Sequence, residues 1–242
     1  MADLQVVETD DVEEAVREHT GEPLPAALPV LPLREMVAYP DTLTPLAVGR
    51  ERSKTLIDEV LSGERLLVLV ASRDPEVEDP SPDQLYGVGV AGVVARMLKM
   101  PDGTIRVLVQ ATERVRINEY VSDEPYLVAR IEGMPDQLAP STELEALTQN
   151  VQRTFSEIIE QIPYLPEELQ LAVTNLDDPS ALSHLIAGAL RIPVAEKQEL
   201  LEEVDVARRL RRLSEILARE LEVIQLGSRI QSEVQSEMEK GQ

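Results

Sequence analysis

The sequence contains no cysteine and no tryptophan, and phenylalanine occurs once, at Phe155. The absence of cysteine excludes disulfides and thiolate metal sites, and it fits a reducing compartment. Aromatic residues make up only 2% of the chain, so its core must be built from Leu, Val, Ile and Ala. A chain of 242 residues can hold one large domain or two modest ones with real cores.

Positive charge is also scarce, since 23 Lys and Arg face 45 Asp and Glu for a net charge of −22. Such a chain is repelled by nucleic-acid phosphates and by anionic lipid, so neither is an expected partner. No apolar run approaches the roughly 20 residues of a membrane span, and the amino terminus lacks the pattern of a signal peptide. We expect a soluble, cytoplasmic protein with no membrane partner.

The motifs of common catalytic sites are missing too. The sequence contains no G-x-x-x-x-G-K-[ST], no G-x-S-x-G and no H-E-x-x-H. Of its two histidines, His19 lies in an acidic segment and His184 lies in a predicted helix, where a packing role is favoured. The acidic loop at 74–83 lacks the ligand spacing of an EF-hand. We therefore expect no catalytic residue, no metal site and no cofactor.

Residues 1–27 hold eight acidic residues against one arginine. Their apolar content is too low to bury, which predicts an acidic disordered tail, the alternative being a tethered acidic lure.

Residues 28–135 have the pattern of a β domain. Residues 28–50 alternate apolar residues with four prolines, which is typical of entry and edge strands. A helix is predicted at 50–62 and a P-D-G hairpin turn at 101–103. Further strands are predicted at 65–71, 85–98, 104–110, 113–120 and 126–134. Six or so short strands indicate a small barrel or sandwich.

From residue 140 the apolar spacing becomes helical. Ser141 and Asp178 are predicted N-caps, and 140–203 reads as a bundle of short helices punctuated by prolines. Residues 204–242 predict one long helix, which spans about 50 Å if 205–239 is helical throughout. That exceeds what the small bundle can cover, so part of it should project or meet a partner. The sequence thus predicts an α+β protein: a small β barrel or sandwich, a helical bundle and a long projecting helix.

One arm of the predicted hairpin is unusually apolar, with Met97, Leu98, Met100 and Pro101 before the turn. Strand alternation places Met97 and Leu98 on opposite sides, so at least one apolar residue should be exposed. Two interpretations stay open: the tip folds over its own domains, or it forms an adaptable hydrophobic site for unfolded or degron-bearing protein.

Four arginines cluster on the long helix, at Arg208, Arg209, Arg211 and Arg212. One interpretation is a solvated face paired with acidic residues at helical spacing. The alternative is a subunit contact through Arg208, Arg209 and Arg212.

Several segments, taken in order, resemble the amino-terminal region of Lon-type ATP-dependent proteases. They are Leu31–Arg50 (LPLREMVAYPDTLTPLAVGR), Val94–Ile117 around the P-D-G turn, Asp178–Ala187, Glu196–Glu202 and Arg209–Val223. Ala111 departs from the pattern, because the family usually has Gly there, which would stiffen that bend. The resemblance implies a PUA-like fold for 28–135.

The resemblance also implies a function. It is a non-catalytic region for substrate recognition and assembly, which binds exposed hydrophobic segments of unfolded or damaged proteins. The ATPase module and the Ser–Lys dyad of the family belong to modules outside this sequence, and the family's subunits assemble as hexamers. Two alternatives remain: a freestanding adaptor resembling the Lon amino-terminal region, and a purely structural oligomerisation module.

Overall fold

The computed structural model describes residues 22–162 and 165–240 of the chain. They form two compact units, which we call the strand unit and the helical unit. The strand unit comprises the residues up to Pro135 together with Ile192–Glu202, and the helical unit comprises Asp136–Arg191 and the residues from Glu203 onward. Most of the predicted acidic tail at 1–27 lies outside the described residues, and Ala27 already begins the first strand.

Six strands form one mixed sheet in the strand unit, in the order β2-β5-β4-β3-β1-β6. They are β1 (Ala27–Leu33), β2 (Leu43–Val48), β3 (Leu66–Ala71), β4 (Val88–Lys99), β5 (Ile105–Ser122) and β6 (Val128–Gly133). β6 pairs with both β1 and β5, which curls the sheet back on itself. With the six helices, the α+β fold class is confirmed, and we describe the sheet as strongly curved and mixed rather than as a closed barrel.

The strand β1 lies inside the sheet, although its two prolines predicted an edge strand. It pairs in parallel with β3 from Val30 onward and antiparallel with β6 before that. The Val30 amide donates to the Leu127 carbonyl on the β6 side, so alternate residues face β6 and β3 in turn. The backbone nitrogen of Pro29 therefore faces β3, at a position before the β1–β3 pairing begins. The backbone nitrogen of Pro32 faces β6, at a position after the β1–β6 pairing has ended. Each missing N–H falls where the ladder has no partner, which is how an inner strand tolerates two prolines.

The strand β5 is continuous, where the sequence predicted two strands at 104–110 and 113–120. Its first part pairs with β2 and its last part with β6, while β4 runs along most of its length. The pairing with β4 shifts register between Ala91 and Gly92, opposite Glu113 and Ala111. A bulge thus replaces the predicted break, because an extra residue bends a strand without ending it.

The helix α1 (Glu51–Ser62) covers the sheet with Leu56, Ile57 and Val60, all buried. The core of the strand unit is aliphatic, as the composition predicts, and is built mainly from Val, Leu and Ala side chains.

A second helix of the strand unit, α5 (Val194–Glu202), comes from a part of the chain that the sequence analysis groups with the bundle at 140–203. Its Gln198 side chain donates to the Val88 carbonyl at 2.9 Å. The Arg114 Nε donates to the Leu201 carbonyl at 2.5 Å. Buried polar groups of the sheet thus find their partners on this helix, which local periodicity cannot reveal.

The helical unit contains α2 (Thr142–Gln161), α3 (Glu167–Asn175), α4 (Pro179–Ala189) and α6 (Val206–Lys240). Both predicted N-caps are present. Ser141 Oγ accepts from the Leu144 amide at 3.0 Å, and Asp178 Oδ1 accepts from the Ser180 amide at 3.0 Å. The helices α2 and α4 thus begin where the sequence predicts a helix start.

The helix α6 is buried along its first part and exposed along its second. Its buried residues end at Leu217. Beyond that point Leu221 and Ile224 are half-buried, and five large apolar side chains are exposed, namely Val223, Leu226, Ile230, Val234 and Met238.

Candidate functional site

The hairpin that joins β4 and β5 is held by a compact turn. The Gly103 amide donates to the Met100 carbonyl at 3.1 Å, and Gly103 has a φ of 85°, a left-handed conformation that favours glycine. Asp102 Oδ1 accepts from the Thr104 hydroxyl at 2.6 Å and from the Thr104 amide at 2.9 Å. These hydrogen bonds, and more weakly the charge of Arg106, lower the pKa of the Asp102 carboxyl. The turn fixes the register of both arms.

This register places Met97 and Leu98 on opposite faces of the sheet. Met97 is opposite Val107, which is buried, and Leu98 is opposite Arg106, which is exposed. Met97 is accordingly half-buried, and Leu98 is 57% exposed. Of the four predicted hydrophobic contact residues, Met100 is half-buried and Pro101 is exposed at the turn. The structure thus separates Met97 from the face that carries Leu98.

Following the register across β4, β5 and β2 identifies the residues that share a face with Leu98. Leu108 lies opposite both Arg96 on β4 and Pro45 on β2, and Ala47 lies opposite Arg106. Directly opposed residues in antiparallel strands point to the same side. We call this set the outer face: Leu43, Pro45, Ala47, Arg96, Leu98, Arg106, Leu108 and Gln110.

The outer face is largely apolar and open to solvent. Leu98 is 57% exposed and Leu43 46% exposed. Pro45 and Ala47 are also exposed, and Leu108 is half-buried. The opposite side of the same strands is buried, with Leu46 and Val107 in the core. A face with several neighbouring apolar side chains is a feature of binding surfaces, whereas single exposed leucines are common everywhere.

Sequence reasoning identifies Leu98 and misses Leu43, Pro45 and Leu108. The alternation in LTPLAV and TIRVLVQ shows that each strand has two distinct faces. It does not show that β2 pairs with the first part of β5, and only that pairing brings the three residues beside Leu98.

The arginine cluster on α6 divides into one buried and three exposed side chains. Arg208 pairs with Glu203 at 3.0 Å, Arg212 pairs with Glu215 at 3.2 Å, and Arg211 pairs with Glu143. These three match the interpretation of a solvated, ion-paired face.

Arg209 differs, since only 1% of its side chain is exposed. Its guanidinium donates to Asp136 at 2.5 Å, to the Glu203 carbonyl and to the hydroxyls of Ser180 and Ser183. All four partners belong to the helical unit itself. The donors of Arg209 are thus already used inside its own unit, and a subunit contact through Arg209 stays a prediction.

A cavity of about 370 Å³ lies in the strand unit beside the ends of β1 and β2 and the start of α1. Arg50 on its wall pairs with Glu78 at 3.3 Å and with Asp79 at 3.0 Å. The charge of Arg50 is thus already balanced by Glu78 and Asp79 within the protein, which makes this cavity a weaker candidate than the outer face.

In the part of the chain that the structure describes, no group of three or more His, Asp and Glu side chains is placed to hold a metal ion. His184 is buried in α4, in agreement with a packing role. None of the helices within 22–162 and 165–240 is long and apolar enough to cross a membrane.

Comparison with known proteins gives a consistent result. The family model described as "ATP-dependent protease La (LON) substrate-binding domain" matches residues 27–219. The chain is 40% identical over 219 residues to a Lon protease of Dictyoglomus thermophilum, covering 90% of this chain and 28% of that protein. It is 42% identical over 224 residues to Lon protease 1 of Herpetosiphon aurantiacus, covering 90% and 27%. The chain thus spans about a quarter of the length of these relatives.

Two solved structures share the fold. One is the N-terminal domain of a Lon protease of the Mycobacterium avium complex, with a TM-score of 0.67 and 23% identity, covering 79% of this chain and 98% of that one. The other is a Lon N-terminal domain protein from Xanthomonas campestris, with a TM-score of 0.56 and 18% identity, covering 77% and 96%. At such identities the likeness supports the fold alone. The family match and the curated relatives carry the assignment, and the chain belongs to the Lon substrate-binding domain family.

Proposed function

We propose that the outer face binds exposed apolar segments of unfolded or damaged proteins, as the substrate-recognition region of a Lon-type ATP-dependent protease. The observation that carries this proposal is the exposed position of Leu98 and Leu43 on one continuous sheet face, with Pro45 and Leu108 between them. A strand-sized apolar surface suits extended segments that a folded protein would keep buried.

The energetics favour weak and reversible capture. Full burial of a leucine side chain contributes about 1.5–3 kcal/mol, and association costs several kcal/mol in lost motion and side-chain ordering. Only a few such contacts fit on this face, so many sequences should bind modestly and none very tightly. Capture of this kind needs no covalent step, and the outer face contains no nucleophile beside a general base.

Replacement of two leucines of the outer face tests the proposal. Leu98→Ser and Leu108→Ser together should weaken binding of a permanently unfolded, fluorescently labelled protein by about tenfold, since about 1.4 kcal/mol corresponds to a factor of ten. Fluorescence anisotropy titration of the labelled protein measures the change.

Leu171→Ser is the matched control, because Leu171 is 66% exposed on α3 in the helical unit. This variant should bind like the unaltered protein. Equal binding by the folded double variant and the control would exclude the outer face as the site.

A second candidate function, assembly, is favoured by the exposed stripe on α6. Val223, Leu226, Ile230, Val234 and Met238 recur every three or four residues, the spacing of one helix face. We propose that this stripe packs against another subunit, with Arg208 and Arg212 as additional contacts on the same helix. Assembly and substrate capture use different surfaces and can coexist.

Self-association should depend on this stripe. Sedimentation velocity over a concentration series should show oligomers of the 242-residue protein, and Leu226→Gln with Ile230→Gln should shift them to monomer because two apolar anchors are lost. Arg219→Gln, a neighbouring change of a charged residue, is the control and should leave the distribution unchanged. A monomer at every concentration tested would reject the assembly role for this chain.

A further inference from the structure

The outer face carries two arginines placed among its apolar residues. Arg96 lies opposite Leu108, and Arg106 lies opposite Leu98, in neighbouring positions along the β4–β5 pair. The two arginines are diagonal to each other, and the two leucines occupy the other diagonal. Diagonal neighbours in an antiparallel pair are about 7–8 Å apart, close to the spacing of residues i and i+2 in an extended chain.

Neither arginine has an acceptor of its own among residues 22–162 and 165–240. No hydrogen bond or ion pair joins Arg96 or Arg106 to a described residue, and Arg96 Nη1 is buried without a hydrogen-bond partner. Other arginines of the same sheet do have carboxylates, for example Arg130 with Glu119 at 3.1 Å. Burial of a guanidinium nitrogen without an acceptor is unfavourable, and a ligand carboxylate binds the Arg96 guanidinium through its other N–H groups or once the side chain turns outward.

The charge of the outer face is opposite to that of the whole chain. The protein has a net charge of −22, yet the face has two arginines and neither aspartate nor glutamate. Asp102 in the turn interacts with Arg106 only weakly, through its charge and without an ion pair, so the positive charge of the face is only partly balanced. A bound ligand interacts mainly with this local positive charge, because salt screens charges that lie more than about 8 Å away at physiological ionic strength.

We propose that the outer face selects apolar segments that carry carboxylates next to their apolar residues, with Arg96 and Arg106 as the residues that determine this preference. The inference rests on the proposed function, since the apolar contacts at Leu98 and Leu108 supply the basal affinity. Guanidinium groups bind carboxylates in a planar, two-pronged geometry. An extended segment with an acidic and an apolar residue two positions apart presents both to the diagonal pattern of the face, because residues i and i+2 point to the same side.

The net charge of the chain alone predicts that a basic peptide binds more tightly than an acidic one. The proposal predicts the opposite, so the affinities of charged peptides test it directly. Three labelled peptides share one Leu/Val core and are flanked by Glu, by Gln or by Lys. At about 0.15 M salt, the Glu peptide should bind about fivefold more tightly than the Gln peptide, and the Lys peptide least tightly, as expected for partly exposed ion pairs. The advantage of the Glu peptide should shrink at high salt.

Arg96→Gln with Arg106→Gln should lower the affinity for the Glu peptide to that for the Gln peptide. Binding of the Gln peptide should fall much less than binding of the Glu peptide, because the leucines remain and only the aliphatic parts of the arginines are lost. Arg116→Gln is the matched control, since Arg116 is exposed on the last part of the same strand and lies 4.0 Å from Glu132. It should preserve the preference for the Glu peptide.

The outcomes separate this inference from the proposed function. If the Gln peptide binds in a Leu98-dependent way and the Glu peptide binds no better, the charge preference is refuted and the proposed function stands. A preference for Glu that survives in the double arginine variant also refutes the role of Arg96 and Arg106. If no peptide binds, or if Leu98→Ser changes no affinity, the proposed function fails and the inference fails with it.

Discussion

Gly89→Ala is expected to destabilise the strand unit by about 3 kcal/mol or more, because the added methyl group would overlap the backbone of the neighbouring strand. A Cβ atom at Gly89 would lie 2.3 Å from the Leu69 carbonyl oxygen and 2.6 Å from Val70 Cγ2. The nearer contact is with a backbone atom, which cannot rotate away as a flexible side chain can.

The strand that carries this carbonyl has little freedom to move. β3 pairs with β1 on one side and with β4 on the other. Leu69 and Val70 are 1% and 0% exposed, so both lie inside a close-packed core. Relief of the clash would therefore require separation of two paired strands. Glycine at this position is demanded by close approach of the backbone, since its φ is not in the left-handed region.

Alanine substitutions at two other glycines of the same segment should destabilise the strand unit less. At Gly92 a Cβ would meet Val109 Cγ1 at 2.8 Å and the Gln110 carbonyl oxygen at 2.9 Å, which predicts an intermediate cost. At Gly87 nothing lies within 4 Å, so Gly87→Ala is the matched control and should be close to neutral. Urea unfolding followed by tyrosine fluorescence, in a Tyr164→Phe background, reports on the strand unit, because the other four of the five tyrosines lie in it. Equal midpoints for Gly89→Ala and Gly87→Ala would contradict the packing described.

The local features of the fold could be predicted from the sequence, because each depends on neighbouring residues. The P-D-G turn, the caps at Ser141 and Asp178 and the apolar stripe of α6 all belong to this class. Long-range pairing could not be predicted in the same way. The inner position of β1, with Pro29 and Pro32 where the ladder is open, depends on strands far apart in the chain.

The candidate site divides along the same line. Alternation alone indicates that Leu98 is exposed, but the identity of its neighbours depends on the pairing of β2 with β5. Arg209 is a different case, because the sequence does contain a signal for it. It falls between Val206 and Leu213 on the buried stripe of α6, at helical spacing from both. Because three other arginines lie beside it in the sequence, Arg209 is grouped with them as part of one charged cluster, and its place on the buried stripe is not recognised.

The buried position of Arg209 makes its removal the second large effect expected. Arg209→Met should destabilise the helical unit by about 3 kcal/mol, within the usual range for breaking a buried ion pair. The change removes the guanidinium that pairs with Asp136, and it removes both donors to the Glu203 carbonyl, at 2.9 and 2.7 Å. Asp136 is 24% exposed, so partial hydration keeps the cost at the lower end of that range. The helical circular dichroism signal during urea unfolding measures the change.

Arg208→Met is the matched control, since Arg208 is the neighbouring residue on α6 and 64% of its side chain is exposed. Its pairing with Glu203 raises the pKa of its guanidinium, yet this contact is open to water, and the variant should unfold at an unchanged midpoint. The double variant Arg209→Met with Asp136→Asn tests the mechanism. If loss of the Arg209 charge beside Asp136 is the cause, neutralising Asp136 should recover part of the lost stability. If the double variant instead shows the sum of both losses, the cost arises from packing around the aliphatic part of Arg209, and the ion pair contributes little.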